Sequence, residues 1–124
     1  MDAGAVSRRG PGEPETILVA DLHGRVALSS DLRALLNELA ESAIGEPDCL
    51  GFRVLAGEEP GEFLLLATWA SEDALRAHYQ TSHYRHYRAQ VGALLARPSD
   101  VVVYRLSATI HALDPNPPEP GQFG

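Results

Sequence analysis

At 124 residues and 13.4 kDa the chain can build one hydrophobic core but not two, and a formal charge of −7 with a pI near 5.1 argues against a phosphate-binding surface, so no nucleic-acid partner is expected. The opening MDAGAVSRRGPGEPE has no apolar h-region and no stretch approaches the ~20 apolar residues that span a bilayer, which predicts a cytoplasmic protein with no membrane partner. All ten basic residues are arginines, which removes lysine covalent chemistry and leaves planar forks suited to carboxylate, phenolate or quinone oxygens; the single Cys49 can form neither an intramolecular disulfide nor a thiolate metal cluster.

Residues 1–14 are rich in Gly, Pro and charge and are expected to form a disordered tail, because they cannot bury enough apolar surface to offset the entropy of ordering them. The domain proper is read as residues 15–108. Thr16 to His23 (TILVADLH) is β-branched and apolar and predicts a first strand, extendable through Gly24 to Leu28 with a bend at the glycine. Ser29, Ser30 and Asp31 then offer N-caps. Leu32, Leu35, Leu36, Leu39 and Ala43 follow the spacing of an amphipathic helix that should stop at Gly45-Glu46-Pro47.

Cys49 to Ala56 alternates as a strand, and Gly57-Glu58-Glu59-Pro60-Gly61 turns it back into Phe63 to Trp69, making a hairpin. The Phe63 to Trp69 strand is apolar on both alternating faces and therefore reads as central. Ser71 is an N-cap candidate, with Glu72 and Asp73 in the first turn of the helix that follows. A soft break near Thr81-Ser82, with Ser82 as cap, starts a second segment whose Tyr84, Tyr87, Val91, Leu94 and Leu95 share a face; Arg97-Pro98 should end it. Val101 to Leu106 is a last strand, and residues 109–124 are too proline-rich to join a sheet. The order β-α-β-β-α-β predicts a ferredoxin-like α+β fold with helices on one face of an antiparallel sheet. Leu64 and Leu66 against Leu65 and Ala67, and Val101 and Val103 against Val102, give these strands apolar groups on both sides, so the uncovered face needs a partner, most economically a second copy of the chain.

Three of the five histidines and three of the four tyrosines fall between His78 and Tyr87, just after the central strand ends. Trp69 reads either as a large core residue or as a flat stacking surface with one donor for an aromatic substrate's oxygen. His78 is either a packed helix histidine or a general base that removes a phenolic or carbon-bound proton, so that the electron-rich anion reacts with dioxygen without a metal or cofactor. His83 and His86, spaced i, i+3, can share a helix face; no third ligand is evident in sequence, and no metal is expected. Arg88 can hold an oxyanion or simply pair with a surface acid. Asp21 and His23 share one strand face as a candidate acid–base pair or a solvated edge. Tyr84 and Tyr87 fit the core spacing.

Glu46-Pro47-Asp48-Cys49-Leu50-Gly51, the strand closing on Trp69, the Ser71-to-Leu75 helix start (SEDAL), His78 nine residues after the Trp, and the Thr81-Ser82-His83 step resemble the antibiotic biosynthesis monooxygenase family of dimeric α+β barrels, over about Thr16 to Leu106. That resemblance implies a homodimer and, in one branch, cofactor-free oxygenation of polyketide anthrones and quinols. That branch lines its pocket with a strand Trp, an Asn, a Tyr and an Arg. Trp69 and Arg88 correspond, whereas the Asn and Tyr positions fall near Leu65 and Leu75. The haem-degrading branch places an Asn, a Trp and an iron-ligating His at positions occupied here by Asp21, His78 and Arg88, none of which matches; His83 or His86 is the nearest shifted ligand. The expectation is a monooxygenase with His78 and Trp69 catalytic and with Arg88, His83, Tyr84 and Asp21 binding a small aromatic substrate beside dioxygen. A non-catalytic ligand-binding protein of the same fold is the alternative.

Overall fold

The computed structural model describes residues 14–108, so the expectations for residues 1–13 and for the proline-rich segment 109–124 lie outside the described residues. Four strands, β1 (Thr16–His23), β2 (Cys49–Ala56), β3 (Glu62–Trp69) and β4 (Asp100–Arg105), form one antiparallel sheet in the order β2-β3-β1-β4. Helices α1 (Ser29–Ala43), α2 (Glu72–Tyr79) and α3 (Ser82–Leu94) complete the ferredoxin-like arrangement. The β1–β3 register pairs Thr16 with Trp69 and Ala20 with Leu65, and the β1–β4 register pairs Leu18 with Val103.

That register sorts the side chains. Leu18, Ala20 and Leu22 of β1 and Phe63, Leu65, Ala67 and Trp69 of β3 are buried on one face, beneath Leu32, Leu35, Leu36, Leu39 and Ala43 of α1. The α1 spacing read from sequence is thus the core face. Leu75 and His78 of α2 and Tyr87 and Val91 of α3 close the same core. The opposite face alternates as strand geometry requires: Val19, Leu64 and Leu66 are half-buried and Val102 of β4 is 41% exposed, so an apolar surface carries no helix.

Several boundaries differ from the sequence expectation, each for a local hydrogen-bonding reason. The first strand does not extend to Leu28. Gly24 N–H donates to Gly61 O at 2.7 Å and Arg25 N–H to Leu94 O at 2.9 Å, which turns the chain out of the sheet into a 3-10 turn at Val26–Leu28. The close approach needs glycine on both sides: Gly61 has φ +88°, and a Cβ there would meet Gly24 O at 2.6 Å. Ser29, Ser30 and Asp31 do not cap α1; they lie inside it, and the N-cap Leu28 makes no side-chain bond. Ser71 does cap α2, its Oγ accepting from Ala74 N–H at 3.1 Å. In α3 the cap is Thr81 rather than Ser82, with Oγ1 accepting from Tyr84 N–H at 3.2 Å. That helix ends at Leu94, before Arg97-Pro98, because Ala96 N–H turns to His23 O at 2.7 Å.

Candidate functional site

The short loop between α1 and β2 is fastened at both ends: Glu46 N–H donates to Ala43 O at 2.9 Å, Cys49 N–H to Glu46 O at 3.1 Å, and Ala70 N–H to Asp48 O at 2.9 Å. The last bond holds the loop against the end of β3, where α2 begins. Glu46 is thereby set beside His78 of α2 and His83 of α3. Its Oε2 lies 2.7 Å from His78 Nδ1 and 2.6 Å from His83 Nε2. One carboxylate oxygen serves two imidazoles drawn from two helices, at distances typical of charge-assisted bonds.

Burial grades across this cluster. The His78 side chain is 4% exposed, Glu46 15% and His83 27%. The His78 ring lies over Trp69 with centroids 4.6 Å apart and is met edge-on by Tyr84 at 5.1 Å; Phe52 meets Trp69 edge-on at 6.5 Å. Burial holds His78 below the usual imidazole range; the Glu46 hydrogen bond and charge draw it back up, and His83 pushes it down again. The neutral ring is the resting form near pH 7. A neutral imidazole bonded to a carboxylate through Nδ1 carries its proton there, so Nε2 holds a free lone pair.

Beneath this cluster, between the sheet and the second helical region, is a small cavity of about 60 Å³. Trp69, His78, Phe52, Leu65, Tyr79 and Tyr84 are among the residues that line it, with Val101 contributed by β4. The Trp69 Nε1–H is buried without a hydrogen-bond partner, as is Oγ1 of Thr16, its cross-strand neighbour. A buried donor left unpaired costs about 1–3 kcal/mol, and a ligand oxygen can recover that cost. Tyr87, also at the wall, is pushed up to about 12 by burial and stays a neutral donor; burial raises Tyr79 as well.

The structure thus brings together three of the residues singled out from sequence: Trp69, His78 and Tyr84 share the cavity wall. His83 contacts the cluster from outside, through Glu46, and faces the groove between α1 and α3. His86 does not join His83 on a common ligand; it is exposed, 3.8 Å from Glu38 Oε1. Arg88 is exposed on α3 outside the cavity lining, near enough to Tyr79 and Tyr87 for its charge to favour their phenolates. Asp21 is exposed on the helix-free face of the sheet, across from the cavity, and His23, on that same face, lies 4.0 Å from Glu62 rather than paired with Asp21. Glu46 was not among the site residues drawn from sequence, although the Glu46-Pro47-Asp48 run had marked its loop.

Comparison with known proteins agrees with the fold. Residues 17–90 match the model of the family described as antibiotic biosynthesis monooxygenase. The Mycobacterium tuberculosis protein “Putative monooxygenase Rv0793” is 36% identical over 86 residues, covering 69% of this chain and 85% of its own. Its solved structure superposes with a TM-score of 0.71 at 34% identity over 74% of this chain and 94% of that one. A solved structure from Caulobacter crescentus CB15 superposes with a TM-score of 0.72 at 25% identity, covering 80% and 93%. PA3566 from Pseudomonas aeruginosa, at 20% identity, shares the fold with a TM-score of 0.73, covering 80% and 100%.

Proposed function

The chain belongs to the antibiotic biosynthesis monooxygenase family, and from that premise we propose that it is a cofactor-independent monooxygenase oxidising a small aromatic substrate of polyketide type, an anthrone, phenol or quinol, with dioxygen. The observation that carries the reading is the Glu46–His78 pair set against an apolar cavity walled in part by Trp69, whose indole N–H is buried and unpaired.

The chemistry follows from those groups. The free Nε2 of His78 takes the acidic proton of the substrate while Glu46 stabilises the imidazolium through Nδ1–H. The resulting delocalised anion supplies the electrons for C–O bond formation with dioxygen. For an anthrone, return of the proton from His78 gives a hydroperoxide at the ring CH2 carbon, and loss of water leaves a carbonyl, so that CH2 and O2 become C=O and H2O. Trp69 Nε1–H donates to the substrate oxygen on which negative charge develops. The apolar lining keeps water from protonating the anion.

At about 60 Å³ the cavity is well below the roughly 300 Å³ of a typical ligand pocket. Admission of a ring system therefore requires Tyr79 and Tyr84, the half-buried residues of the lining, to swing aside. We assign the substrate contacts to Trp69, Tyr84 and Tyr79, with Arg88 at the tyrosine edge and Asp21 on the far side of the sheet. The helix-free face, with Ile17, Val19, Leu64, Leu66, Val102 and Tyr104, supports a homodimer joined through the sheets.

Anaerobic mixing with an anthrone or quinol followed by admission of air tests the reading. Oxygen-dependent product formation that is lost in His78→Ala supports it; saturable binding without turnover would assign the cavity to the non-catalytic alternative.

A further inference from the structure

The three side chains that meet at Glu46 have a property that hydrogen bonding alone does not use. His78 Nδ1, His83 Nε2 and Glu46 Oε2 all lie within 4.8 Å of one another and come from two helices and a loop, so three different parts of the chain converge on one point. Two imidazoles and a carboxylate are a donor set that suits borderline divalent cations and leaves a coordination position for water. In the metal-free state two ring N–H groups are aimed at one oxygen; a single cation between them replaces both hydrogen bonds.

We propose that Glu46, His78 and His83 bind a borderline divalent cation such as Zn²⁺, and that its binding switches off the base at the cavity. The first half stands on the cluster alone; the second rests on the reading of His78 as the base. Tetrahedral bonds of ~2.0–2.1 Å set neighbouring ligand atoms ~3.4 Å apart. The carboxylate oxygen, now 2.7 and 2.6 Å from the two nitrogens, therefore retreats by roughly 0.7 Å, which a rotation of the Glu46 side chain supplies. The cation arrives from the His83 side, where the side chains are 27% and 15% exposed, and not through the cavity, since His78 is 4% exposed.

Occupancy changes which nitrogen of His78 is basic. Without metal, Nδ1 carries the proton and Nε2 the lone pair; with metal on Nδ1, the neutral ring must carry its proton on Nε2. The nitrogen that accepted a proton becomes a donor. The site thus regulates by tautomer rather than by blocking the cavity.

The competing soft ligand is the Cys49 thiol, half-buried, hydrogen-bonded to Gly51 O, and close enough to Glu46 to feel its charge. The test is calorimetric titration of the full-length protein with ZnCl2 at pH 7.5 in a non-chelating buffer. Cobalt absorption and long-range ¹H–¹⁵N NMR of His78 accompany it. The proposal expects one Zn²⁺ per chain, four-coordinate cobalt bands, affinity weakened at least tenfold in His83→Gln and in Glu46→Gln but kept in Cys49→Ser, and movement of the His78 proton from Nδ1 to Nε2. Turnover should fall with Zn²⁺ in the wild type, and the His83→Gln variant should show no such fall relative to its own metal-free rate. No heat and no cobalt bands, or binding that survives both ligand substitutions, overturns the site. Binding with the tautomer unchanged overturns the switch. A protein that binds Zn²⁺ with the tautomer shift but oxidises no substrate would leave the metal site standing and remove the monooxygenase reading instead.

Discussion

Replacing Glu46 with Ala removes the acceptor shared by two histidines, and the two losses are unequal. His78 is 4% exposed, so its Nδ1–H is stranded where water does not reach, at about 1–3 kcal/mol. His83 is 27% exposed and can turn to solvent, so its loss adds only a few tenths to about 1 kcal/mol. The expected total is about 2–3 kcal/mol, or a melting temperature lower by roughly 8–20 °C for a domain of this size. Glu46→Gln keeps one carbonyl acceptor and should lose about half as much. Thermal unfolding by circular dichroism at pH 7.5, at one fixed protein concentration, measures both. The same substitutions should slow oxygen-dependent turnover about 10–100-fold, because His78 loses the group that fixes its tautomer. An alanine variant as stable as the wild type, with unchanged turnover, would refute the claim that this carboxylate organises the site.

The pH dependence has a defined sign. His78 is held below its ordinary value of 6.5 by burial, so both its basicity and the stability of its buried neutral ring are intact above that pH and are lost as pH falls through the lowered value; the groups facing it are Glu46, His83, Tyr79 and Tyr84. The acid limb of kcat/KM, which reports the free enzyme, should therefore lie below pH 6.5, and Glu46→Gln, which removes the influence that raises His78, should move it lower still; an acid limb above 6.5 counts against His78. Trp69→Phe removes the free N–H together with part of a fully buried ring, and should lower kcat by about one order of magnitude or more with a stability loss of about 1–3 kcal/mol, read by stopped-flow absorbance and melting. Leu36→Ala, at a position 0% exposed in α1, should cost about 2–5 kcal/mol by urea titration without a specific loss of turnover in the folded fraction. If the chain pairs through its helix-free sheet face as proposed, Leu66→Asp should convert that dimer to monomer in sedimentation velocity; a wild type that sediments as a monomer at micromolar concentration removes the basis for that pairing.

Much of the fold was legible because burial is periodic. The leucines at 32, 35, 36 and 39 could only make one helix face, and the β2 bounds follow from alternation closed by Gly57. Ends depended on partners that a local reading does not hold. Gly24 leaves the sheet because of Gly61 and Leu94, both far along the chain, and α3 begins one residue earlier than expected because Thr81, not Ser82, faces the free N–H groups. Trp69, His78 and Tyr84, which share the cavity wall, were singled out because they lie close together in sequence where a strand hands over to helices. Glu46 was not, since its partners are 32 and 37 residues away and a loop residue shows no periodic signal. Asp21 lies across the sheet from the cavity for a simple reason: a strand residue points to one face or the other, and its buried neighbours Ala20 and Leu22 occupy the side that holds the cavity.

The central claim is that a carboxylate-held histidine lets this cavity run oxygen chemistry on a carbanion. Reaction of an anthrone under ¹⁸O2, with the product analysed by mass spectrometry, addresses it most directly. The account predicts one labelled oxygen atom per product at the new carbonyl, formed at a rate that collapses in His78→Ala. Unlabelled product, or labelled product formed equally fast without His78, would contradict it.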